Sequence, residues 1–76
     1  MMYVEAKCRQ MHDRDECGNI MRTNKYIFRL VKLDEKRFSG TIYFNKTEII
    51  NMLCYDRLSA TAFLERTERM IFGDSN

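Results

Sequence analysis

Cys8, His12 and Cys17, with Cys54 further along, are the residues whose types could do chemistry. Thiolates and imidazole are the ligands zinc favours, and a structural metal would stabilise so short a chain. Their spacing contains no C-x-x-C pair, however, and free cysteine is among the most buried residue types. Cys8 and Cys54 are therefore expected as small core residues, His12 and Cys17 as part of a polar loop, with no metal and no cofactor. His12 beside Asp13, Asp15 or Glu16 has the residue types of an acid–base site, and with Cys17 those of a nucleophilic pair. All lie in one charged stretch, and the chain has neither a glycine-rich phosphate cradle nor a nucleophile elbow. Solvated loop charges are expected there, so no catalytic residue is assigned and the chain is read as a non-enzyme.

A second constellation is basic. Arg22, Lys25, Arg29, Lys32, Lys36 and Arg37 stand against only Asp34 and Glu35 in the same stretch, interleaved with Tyr26, Phe28, Phe38 and Tyr43. Cations placed for phosphates and aromatics placed for bases are what a nucleic-acid surface needs, and a two-stranded ribbon fits the major groove. Over the whole chain, 13 Lys and Arg against 11 Asp and Glu leave a net charge of +2. So slight a balance gives no independent push toward nucleic acid, and outward-facing cations on an exposed sheet serve solubility equally well.

The elements that must position these residues are strands followed by a helix. Met2, Val4, Ala6 and Cys8 alternate with Tyr3, Glu5, Lys7 and Arg9, which predicts a half-buried strand with the first set inward. Residues 11–24 lose all periodicity and read as a long loop. Lys25 to Leu33 predicts a central strand, its inward set being either Tyr26, Phe28 and Leu30 or Ile27, Val31 and Leu33. Phe38 to Phe44 is the third strand, with Phe38, Ile42 and Phe44 inward. The expected fold is α+β, a three-stranded antiparallel meander followed by one long C-terminal helix.

That helix is expected to span Lys46 to Phe72. Asn45 suits an N-cap, Glu48 can reach back to it, Phe44 and Ile49 form a hydrophobic staple, and Gly73 can close the C-terminus, where Arg66 and Arg69 suit the dipole. At about 100° per residue, Ile49, Met52, Leu53, Ala60, Phe63, Leu64, Met70 and Ile71 share one stripe with Thr67 and Asp56. A carboxylate in that stripe is costly. Asp56 and Ser59 are also credible N-caps, so a kink or two shorter helices joined there is the alternative. Twenty-seven residues make a rod of about 40 Å, while eight-residue strands reach about 26 Å. The overhang would leave Phe63, Leu64, Met70, Ile71 and Phe72 to be covered by a second copy, which predicts a homodimer, or by another protein partner.

At 76 residues the chain has room for one domain and one modest core. No run approaches the length of a membrane span, and Met1 to Gln10 does not resemble a secretory leader, so a cytoplasmic location and no membrane partner are expected. In element order the chain resembles the three-stranded-sheet-plus-helix DNA-binding modules of a family of plant transcription factors and of certain integrase arm-binding domains. The resemblance is one of architecture and assigns no residue a role. The reading overall is a small non-enzymatic binding module that associates with itself and with another protein. Shortness and the lack of catalytic apparatus suggest a regulator or inhibitor of the kind phages and mobile elements carry. Nucleic-acid binding through residues 22–37 is the alternative.

Overall fold

The computed structural model describes residues 2–73. The chain runs β1 (Met2–Arg14), β2 (Ile20–Lys32), β3 (Phe38–Phe44), β4 (Thr47–Cys54) and α1 (Arg57–Phe72). It is an α+β fold whose four strands lie in the order β1-β2-β3-β4, all antiparallel, with the helix across one face. The sheet thus has four strands rather than three, and the resemblance to three-stranded DNA-binding modules lapses with the count.

The fourth strand is the first half of the expected helix. Asn45 and Lys46 have φ of 48° and 73°, the two consecutive left-handed residues of a type I′ hairpin turn. Asn45 tolerates that conformation and ties the turn down. Its backbone N–H donates to the Lys25 carbonyl at 2.8 Å and its Oδ1 accepts from the Lys25 N–H at 2.8 Å. Once the chain has reversed, Thr47, Ile49 and Ile50 favour the pleated conformation. The helix starts instead at the alternative cap: Asp56 accepts from the Ser59 N–H at 2.6 Å. It ends where Gly73, at φ 78°, donates its N–H to the Arg69 carbonyl at 2.7 Å.

Length then works the other way round. The helix has 16 residues and β1 and β2 have 13 each, so about 24 Å of helix lies beside strands of about 43 Å. Residues 11–14 and 20–24, expected in a loop, extend the first hairpin into a ribbon beyond the last partner that β3 offers, at Tyr26. Among the described residues nothing covers either side of that ribbon, so nothing in it demands an apolar period. Its tip closes on Asp15, whose Oδ1 accepts from the N–H groups of Cys17 and Asn19, each at 2.9 Å.

The core is small. Phe28, Leu30, Ile42, Cys54, Ala60 and Leu64 are buried, with Val4, Tyr26, Phe38, Ile50, Phe63, Ile71 and Phe72 packed around them. The ambiguous middle strand therefore turns Phe28 and Leu30 to the helix. Thr67, on the packed side, returns its hydroxyl to the Phe63 carbonyl. Gly40 of β3 lies under the helix where a Cβ would come 2.8 Å from the Phe63 ring. A bulge in β1 reverses the expected faces. Tyr3 opposes Val31 and Glu5 opposes Leu30, leaving Val4 between them without a partner. Beyond it, Glu5, Lys7 and Arg9 share the helix side with Leu30, Phe28 and Tyr26, while Ala6 and Cys8 turn away and are exposed. Val4 keeps its inward place; the side chain of Met2 lies outside the described residues.

Candidate interaction surface

Because paired residues share a face, the register fixes what lies opposite the helix. Ile27 pairs with Tyr43, Arg29 with Thr41 and Val31 with Ser39; Thr41 and Ser39 pair in turn with Asn51 and Leu53. Among the described residues no element covers this side. Its middle forms a shallow groove of about 340 Å³. Ser39 and Thr41 are buried in the floor, with their hydroxyls 3.2 Å apart, and Ser39 Oγ donates to Asn51 Oδ1 at 2.9 Å. Arg29 Nη1 donates to the Tyr43 hydroxyl at 3.1 Å, and its guanidinium lies 5.3 Å from that ring's centre. Val31 and Leu33 complete an apolar side, so the groove presents fixed polar groups between hydrocarbon walls.

On the helix side, a cleft of about 360 Å³ separates β1 from α1. Charge bridges it where hydrocarbon does not. Glu68 accepts from Arg9 Nη1 at 2.7 Å and lies 2.9 Å from Lys7 Nζ. Arg9 also covers the Phe72 ring, 4.1 Å from its centre. Burial pushes the Glu68 carboxyl up, but hydrogen bonds from Arg9 and Lys7 outweigh it and hold the group below its ordinary value.

The third feature is the outer flank of β4. Ile49, Met52 and Leu53 are 49%, 45% and 46% exposed, and just beyond them Tyr55 and Leu58 are almost wholly in water.

The residues singled out from sequence fall in several places. Cys8 lies on the bare face, Cys17 at the ribbon tip and Cys54 in the core on the helix side, so only Cys54 is the small core thiol expected. His12 Nδ1 is 2.9 Å from Thr23 Oγ1 on the ribbon. Among the described residues no three His, Cys, Asp or Glu side chains gather closely enough to hold a metal. Asp15 is engaged by its own turn; hydrogen bonds, first from the Asn19 backbone, hold its carboxyl below the ordinary value. The six basic residues divide between faces. Arg22 and Lys32 are on the helix side of β2, Lys25 and Arg29 on the other, and Lys36 and Arg37 in the following turn, where Arg37 Nε meets Asp34 Oδ2 at 2.6 Å. Of the helix residues expected to meet a second copy, Leu64 is buried in the chain's own core, and Phe63, Ile71 and Phe72 pack against it half-buried. Only Met70 is left well exposed, at 78%. The overhang that assigned them to an interface does not exist.

Comparison with known proteins finds no matching family, no curated relative and no similar solved structure.

Proposed function

We propose that the chain is a non-enzymatic protein-binding module that works as a self-associated assembly, a homodimer in the simplest case, and serves as a small regulator or inhibitor of another protein. The observation that carries this reading is the imbalance between surface and core. A compact chain of 9.2 kDa exposes about 4,900 Å², whereas this one exposes 5720 Å². The excess, about 800 Å², is what each partner contributes to a standard interface. The radius of gyration, 14.4 Å against about 11 Å for a compact domain of this length, reflects the outer ribbon. Single cores in chains this short are usually supplemented by a disulfide, a metal or a partner. A second chain would supply such a supplement and shelter the remaining apolar surface.

Nucleic-acid binding through residues 22–37 is less well supported, because the alternation of β2 sends its cations to opposite faces and Arg29 and Arg37 are engaged by Tyr43 and Asp34. The ribbon of residues 11–24 that could enter a groove holds Arg14 and Arg22 against Asp13, Asp15 and Glu16, which is slightly acidic rather than basic.

Sedimentation equilibrium across roughly 5 to 200 µM tests self-association. The expected result is a mass rising toward twice 9.2 kDa; a monomer's mass at every concentration sinks it. Duplex DNA and single-stranded RNA serve as the counter-test. Binding that weakens steeply and linearly in log salt would favour the alternative.

A further inference from the structure

Among the described residues the sheet has two free edges, and they differ in chemistry. A free edge offers unpaired N–H and C=O groups to any passing strand, and proteins usually blunt it with charge, proline or a bulge. On β1 the edge carries Glu5, Lys7, Arg9, Asp13 and Arg14, together with the bulge at Val4. On β4 the run Ile49 to Cys54 carries no charge at all, and its one bulge lies at the beginning, where Glu48 and Ile49 together oppose Tyr43.

The half-exposed side chains of β4 lie on both sides of the sheet. Leu53 belongs to the bare face with Ser39, but Met52 pairs with Gly40 on the face that the helix covers. Exposure on both faces at once is not the mark of an uncovered face. It is what a strand shows when its lateral neighbour is missing.

We infer that this neighbour is β4 of a second copy, paired antiparallel about a two-fold axis at Asn51, so that two sheets of four strands become one of eight. This rests on the self-association proposed above and says where it occurs. A two-fold contact must be self-complementary, and β4 satisfies that condition in this register. Ile49 meets the partner's Leu53 and Ile50 meets the partner's Met52, apolar against apolar on each face. Asn51 meets its own copy. Its Oδ1 already accepts from Ser39, and its amide N–H groups are the donors that such a pair requires. No like charges oppose each other, because Glu48 falls across from Cys54. Shifting the axis by one residue either way sets Ile49 or Leu53 against Asn51 and loses the match. The uncharged run from Ile49 to Leu53 is thus the part that pairs, with the bulge at its first residue.

The experiment is a charge exchange. Ile49→Lys with Leu53→Lys places like charges opposite each other twice across the axis, and Ile49→Glu with Leu53→Glu does the same with the other sign. Each double variant alone is expected to associate at least about tenfold more weakly than the native chain. Mixed one to one, they should regain the mass of a dimer, because position 49 of one faces position 53 of the other. Circular dichroism establishes that each is folded. A native chain that is monomeric throughout defeats both this inference and the proposed self-association. Native dimers with either double variant still dimeric, or no recovery on mixing folded variants, defeat this inference alone. Should a variant fail to fold, hydrogen exchange of the native chain decides. The edge amides of β4 should be protected at high concentration and lose that protection on dilution, and protection independent of concentration overturns the pairing.

Discussion

Replacing Glu68 by glutamine should weaken the fold, and do so only where the carboxylate is charged. The Glu68 side chain is 13% exposed, against 34% for Arg9 and 63% for Lys7. A sheltered hydrogen bond to a charged group contributes about 1.5–3 kcal/mol, but an arginine one-third in water brings that to the lower end, and the mostly exposed Lys7 adds a few tenths at most. Glutamine keeps the shape and an oxygen acceptor for Arg9. A loss of about 1–2 kcal/mol is therefore expected at pH 7, or roughly 5–15 °C in Tm for a domain of this size. The folded carboxyl titrates below its ordinary value. Its contribution is accordingly complete above the unfolded value of about 4.3 and disappears as the pH falls through the folded value. Urea melts at fixed protein concentration should thus show a full deficit at pH 7 that shrinks below about pH 4. A Glu68→Gln chain as stable as the native one at pH 7, or equally impaired at both extremes, would refute this account of the contact between β1 and the helix.

Gly40→Ala should cost about 1–2 kcal/mol in the same melts despite alanine's better strand propensity, because the new methyl group would lie 2.8 Å from Phe63 Cδ2 and 3.3 Å from Leu64 Cδ2. Stability equal to or above the native value would mean that the helix rides further from the sheet. Asp56→Ala removes the acceptor for the Ser59 N–H and should cost about 1 kcal/mol, with Asp56→Asn losing much less; equal losses in the two variants would show that charge rather than capping holds that end.

Much of the fold was legible because it depends on local chemistry. The strands around Tyr26 to Lys32 and Phe38 to Phe44 follow from their β-branched and aromatic residues, and the C-terminal end of α1 from Gly73. The rest was hidden for physical reasons. Asn45 suits both a helix cap and a left-handed turn, and only the second left-handed residue, Lys46, decides between them. Lysine carries no signal for that conformation. Ile49, Met52 and Leu53 fit a helical stripe and an edge strand equally well, since an edge strand exposes part of both faces. The outer ribbon escaped notice because strands uncovered on both sides need no alternation. The bulge at Val4 displaced the face assignment of β1 beyond it, and no residue type announces such a bulge. The β4 flank was visible only as misassigned helix core, and the bare-face groove needed the register that sets Arg29, Ser39 and Asn51 near one another.

The outer hairpin has one consequence of its own. β2 is a single extended segment in which Phe28 and Leu30 anchor the hydrophobic centre, while the residues from Ile20 to Asn24 touch only one neighbouring strand. The same stretch of backbone therefore belongs to the firmest and the softest parts of the molecule, with the transition near Lys25. Opening at the tip should be frequent and local, whereas opening seven or eight residues further along requires the entire molecule to unfold. Whatever grasps the tip holds a lever of about 17 Å whose other end is fixed in the centre of the fold.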